Sequence, residues 1–105
     1  MNLEQTVEKT LKEGGFAGDW IDVEDLDLVR YIVGRLNKFS TLSKDEIESR
    51  FINHAHIYSA SKMEYEKSSL LKVETSLKLK KAIEENRAIA LTSSSLFVRE
   101  LAKVW

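Results

Sequence analysis

Proline is absent from the chain, and all four glycines (Gly14, Gly15, Gly18 and Gly34) fall in its first third, so residues 35–105 contain neither of the strongest breakers of regular structure. A stretch of that length with no forced turn points to helices, because strands of ordinary size need turn residues every few positions. The 43% hydrophobic and 31% charged composition supplies enough apolar surface for a folded core. At 105 residues the expected unit is a single helical domain over 1–105.

Hydrophobic spacing divides the chain. Leu3, Val7 and Leu11 form one helical stripe and Gly14-Gly15 supplies a stop, which gives a short helix at 3–13. Phe16, Trp20 and Ile21 are too apolar for a solvated link and are expected to pack on the helices. Asp22 suits an N-cap, and Glu24, Asp25 and Asp27 suit the positive end of a helix dipole. Leu26, Val29, Val33 and Leu36 then place a second helix at 23–37, with Leu28, Ile32 and Phe39 widening its apolar face and Gly34 suited to a close helix contact.

After a polar turn, Ser43-Lys44-Asp45-Glu46 matches a capping box at a helix start. Phe51, Tyr58, Met63, Leu70, Val73 and Leu77 continue as an interface stripe, with Met63, Leu70 and Leu77 recurring at sevens in the manner of a coiled-coil seam. Leu79, Ile83 and Ala90 open a second stripe, so the seam drifts. One helix over 44–91 would be about 70 Å long, more than a compact domain of this size spans. It either breaks, at Ser59 to Ser61, Ser68-Ser69 or Asn86, or is covered by a partner. Thr92-Ser93-Ser94-Ser95 interrupts the pattern and can cap a terminal helix over 94–105, in which Phe97, Leu101 and Val104 or Trp105 face one way. The expected fold is an all-α helical bundle with one long central helix, coiled-coil-like and oligomeric.

Chemistry-bearing patterns are scarce. With no cysteine, thiolate sites and disulfides are excluded, which fits a reducing compartment. His54 and His56 point about 200° apart on a helix and cannot share a metal there. Gly14-Gly15-Phe16-Ala17-Gly18 lacks the spacing and lysine of a phosphate-cradling loop, and no serine sits in a nucleophile elbow. The reading is therefore non-enzymatic, with no cofactor, metal or small-molecule substrate. The opening Met-Asn-Leu-Glu-Gln is unlike a signal peptide, and no segment has the length to cross a bilayer, so a soluble cytoplasmic protein is expected.

Charge is uneven although the net is only −1. Residues 1–27 carry −6 and the remainder +5, so the acidic arm can fold over the chain's own basic region or pair head to tail with a second copy. Lys62, Lys67, Lys72, Lys78, Lys80 and Lys81 form the candidate phosphate-contacting array, interleaved with Glu64, Glu66, Glu74, Glu84 and Glu85.

The segment Leu-Asn-Lys-Phe-Ser-Thr-Leu-Ser-Lys-Asp-Glu over 36–46, with Tyr65-Glu66-Lys67-Ser68 and Lys72-Val73-Glu74-Thr75-Ser76-Leu77, resembles the UvsY family of phage recombination mediators over about a third of the chain. The resemblance implies a helical oligomer that binds single-stranded DNA and helps load a recombinase, with the same six lysines as its first phosphate contacts. The chain departs from that family in being shorter and in having a less basic helix after residue 43. Two functions follow as expectations: a helical protein-interaction module acting as adaptor, assembly factor or regulator, and a single-stranded nucleic-acid accessory protein.

Overall fold

A computed structural model describes residues 2–16, 20–43, 45–46, 49 and 60–105, with side chains described in all of these except 60–72. Among the described residues there are five α-helices, one 3-10 turn and no strand. We label the helices α1 (Leu3–Glu13), α2 (Leu26–Ser40), α3 (Ala60–Glu85), α4 (Arg87–Leu91) and α5 (Leu96–Val104).

Helix α1 starts at a reciprocal cap: the Gln5 amide donates to Asn2 Oδ1 at 2.8 Å, and the Asn2 amide donates to Gln5 Oε1 at 3.3 Å. It stops at the glycines. The Phe16 amide reaches the Leu11 carbonyl and the Gly15 amide the Lys12 carbonyl, with Gly15 at φ 81°, so the last turn is closed by a Schellman motif that only glycine adopts without strain. Gly14 serves a different need. A Cβ there would lie 1.9 Å from Thr75 Oγ1, because the end of α1 runs directly against α3.

The second helix begins and ends three residues later than the 23–37 expected from the sequence. Asp25, not Asp22, is its N-cap, accepting from the amides of Asp27 at 3.0 Å and Leu28 at 3.2 Å. Trp20, Ile21 and Asp22 instead form the 3-10 turn, because Phe16, Trp20, Ile21 and Val23 are drawn onto the core and hold the preceding chain out of helical register. Phe16 and Trp20 meet edge to face at 5.6 Å. Leu28 does not extend the buried face; it is 46% exposed, while Val29, Ile32, Val33 and Leu36 turn inward.

Of the 44–91 segment, the described long helix is α3, 26 residues or about 39 Å. Before it, the Glu46 amide donates to Ser43 Oγ at 3.1 Å. After it the chain turns at Asn86, whose Nδ2 folds back to the Ala82 carbonyl at 2.8 Å, and continues as α4. Helix α5 is capped by Ser95, which accepts from the Val98 amide. Its Phe97, Val98, Leu101 and Ala102 are all buried, and it packs against α2, α3, α4 and the 3-10 turn. Trp105, rather than Val104, completes the inward face: Val104 is exposed and Trp105 packs on the core.

Candidate functional site

Two apolar stripes on α3 compete for the core, and the second one wins. Leu79 and Ile83 have no exposed surface and join Ala90 of α4 in the core with Val7, Leu11, Val29, Val33 and Phe97. Ser76 is equally buried, because its Oγ donates to the Leu36 carbonyl of α2 at 2.7 Å and so satisfies its hydroxyl inside the contact. Leu77, about 200° round the helix from Leu79, is 39% exposed. Val73 is buried. Met63 and Leu70 fall on the α3 backbone at seven-residue steps from Leu77, their side chains outside the description, and Phe51, Tyr58, His54 and His56 lie outside the described residues.

Of the candidate lysines, Lys78 and Lys81 are exposed and Lys80 is partly covered, while the side chains of Lys62, Lys67 and Lys72 are outside the description. Ion pairs among the described residues are local, each between positions three or four apart: Lys9 with Glu13, Lys12 with Glu8 and Lys103 with Glu100. The acidic arm therefore does not reach over the basic helix by any ion pair among the described residues.

A second site, not anticipated from the sequence, lies where α1, the 3-10 turn and the start of α5 converge. Glu4 Oε1 accepts from Ser93 Oγ at 2.5 Å and Ser94 Oγ at 3.1 Å. Ser95 Oγ donates to the Ile21 carbonyl at 3.2 Å, and the Ser95 amide donates to Ser93 Oγ at 3.1 Å. Beside this cluster is an open groove of about 570 Å³, bordered by Glu4, Asp22, Glu24, Ser94, Leu96 and Arg99. The Ser93 hydroxyl first, then the Ser94 hydroxyl, hold the Glu4 carboxyl below its ordinary range against the opposing effect of burial, with the Ser95 backbone adding least. The Ser93–Glu4 hydrogen bond ties the start of α1 to the turn before α5. The serine run was legible as a cap; its partner 89 positions away was not.

Arg87 makes a comparable tie at the other end of α5. Its guanidinium donates to the Ala102 carbonyl at 2.6 Å and to the Trp105 carbonyl, bringing a fixed cation to the negative end of the helix. No group of three or more potential metal ligands occurs among the described residues, and no helix in the described residues is long and apolar enough to cross a membrane.

No family model, curated protein or solved structure matches this chain.

Proposed function

We propose that the chain is a non-enzymatic helical interaction module, an adaptor, assembly or regulatory protein, that acts by self-association or by packing a partner helix along the outer side of α3. The observation that supports this is the division of labour on α3. Ser76, Leu79 and Ile83 serve the chain's own fold, and Leu77 stays 39% exposed in seven-residue register with Leu70 and Met63. An apolar side chain left exposed on a long helix, in register with further apolar positions, is what a second helix covers. The interface residues in this reading are Phe51, Tyr58, Met63, Leu70 and Leu77, the expected Val73 being buried in the chain's own fold; it needs no cofactor and suits a cytoplasmic setting. Replacing Leu70 and Leu77 together with lysine should lower the assembly mass measured by light scattering or abolish capture of the partner, with the helical circular dichroism retained. An unchanged assembly would remove the seam.

A second reading rests on Lys78 and Lys81, which are exposed and make no ion pair among the described residues. With Lys62, Lys67, Lys72 and Lys80 they would follow the phosphates of single-stranded nucleic acid, as the resemblance to the recombination mediators implies. Each subunit binds weakly in this reading, and assembly multiplies the effect. Anisotropy of a labelled oligonucleotide should show binding that falls steeply with salt; no binding at low salt would end the idea.

A further inference from the structure

Gly34 makes no close packing contact among the described residues. It lies inside α2, where glycine is the weakest helix former after proline, and a Cβ built there would meet nothing within 4 Å. It sits on the exposed side of the helix, and its neighbours there form a patterned row. Asp27, Leu28, Tyr31, Gly34, Arg35 and Lys38 fall within about 120° of arc at 100° per residue, and all six are exposed, Tyr31 by 62%. The row is acidic at its N-terminal end, where Glu24 and Asp25 precede Asp27, and basic at its C-terminal end, with an apolar centre. None of Asp27, Arg35 and Lys38 makes an ion pair among the described residues. The Arg35 guanidinium is poised 5.9 Å from the centre of the Tyr31 ring, which fixes it on this face.

We propose that α2 is the contact of a two-fold dimer, in which the same face of a second copy of this chain docks antiparallel, so that Asp27 of each copy meets the basic end of the other's row and Gly34 leaves room for the two helices to meet. The pattern is self-complementary in an antiparallel pairing. A two-fold axis near the middle of the row brings Asp27 of each copy alongside the basic end of the other, where Arg35 and Lys38 lie, so acid meets base twice over. A parallel pairing would oppose acid with acid and base with base. Because Gly34 has no Cβ, the two helices can approach more closely than side chains elsewhere on α2 would permit. The inference rests on the self-associating reading above and adds a contact on α2 to the seam proposed on α3.

At 15 residues α2 is about 22 Å long, and a single pair of such helices falls below the roughly 800 Å² per partner of a tight complex, so the dimer is a weak one. The test is sedimentation equilibrium of the full chain up to ~1 mM, a range that registers Kd values of that order. The parent should move toward twice its monomer mass. Asp27→Arg and Arg35→Asp alone should each weaken dimerisation roughly tenfold or more, since each reverses both symmetry-related pairs. The double swap Asp27→Arg with Arg35→Asp should restore it. Gly34→Leu, which improves helix propensity and whose Cβ meets nothing in the monomer, should weaken the dimer while the monomer stays folded by circular dichroism. A parent that remains monomeric at the highest concentration overturns the proposal, as does a dimer indifferent to Arg35→Asp and Gly34→Leu. Leu77→Lys separates the two surfaces: a dimer lost with Leu77→Lys and kept with Gly34→Leu belongs to α3 and rejects α2, and the reverse pattern supports α2 while rejecting the seam.

Discussion

Ser76 Oγ donates to the Leu36 carbonyl at 2.7 Å, joining α3 to α2 across forty positions of sequence at a point with no solvent exposure. A hydroxyl here does what an aliphatic side chain could not: it lets two helices meet closely and uses a carbonyl of the facing backbone as its partner. Ser76→Ala is expected to lower unfolding free energy in urea by about 1 kcal/mol, the net worth of one neutral hydrogen bond. Ser76→Leu would extend the apolar stripe, yet it should cost more, about 1–3 kcal/mol, because the added carbons have no space to occupy.

Two glycines should respond to alanine with opposite signs. At Gly14 the new Cβ would fall 1.9 Å from Thr75 Oγ1, so Gly14→Ala must push α1 off α3 and is expected to lose about 1–3 kcal/mol. Gly34→Ala meets nothing and removes backbone freedom from the unfolded chain, for a gain of about 0.5–1 kcal/mol in the monomer. Paired thermal melts at low protein concentration check both.

The Glu4 tie should be visible in the pH dependence of stability. Its carboxyl titrates below the ordinary range because the Ser93 and Ser94 hydroxyls favour the charged form, so folding is assisted above the unfolded-state value of about 4.3. That contribution is lost as pH falls below this value and through the folded-state pKa. Glu4→Gln is therefore expected to be less stable than the parent at neutral pH, and the two denaturation midpoints should converge in strong acid. Midpoints that stay equally separated at every pH would count against the tie.

Arg87 anchors the end of α5 through two carbonyls, which predicts a loss of about 1–2 kcal/mol for Arg87→Ala. In a Trp20→Phe background, where Trp105 is the one remaining tryptophan, its emission should shift to the red as its packing loosens. Arg87→Lys should recover part of the loss, since an ammonium carries the charge but not the guanidinium fork.

Much of the local structure was legible. The stripe Leu3, Val7 and Leu11 with its glycine stop describes α1, and the serine run before Leu96 describes the cap of α5. Asn86, one of three candidate breaks, is where α3 gives way to α4. The start of α2 was not legible, because Asp22 and Asp25 offer the same capping chemistry to the same stretch of chain. Only the docking of Trp20 and Ile21 on the core, which curls Trp20–Asp22 into a 3-10 turn, leaves Asp25 as the residue at the helix entrance. The Glu4 cluster was invisible for another reason: hydrogen bonds between positions 4 and 93 have no period in sequence.

What the sequence determined by itself is the class and its local grammar. Without proline, and without glycine after Gly34, the chain had to form helices, and short-range rules of capping and spacing settled where several of them begin and end. Those rules act within one turn, so they operate before any helix has a neighbour. The tertiary structure decided which face of each helix is inside. On α3 the Leu77 and Leu79 stripes have equal claims by periodicity, and on α2 Leu28 has as good a claim as Ile32. The choice fell to Leu79 and Ile83, and to Ile32, because burial depends on the surfaces that α1, α2 and α5 present together, and a helix can turn only one side toward them. The sides left over, Leu77 on α3 and the Leu28–Tyr31–Gly34 row on α2, stay exposed.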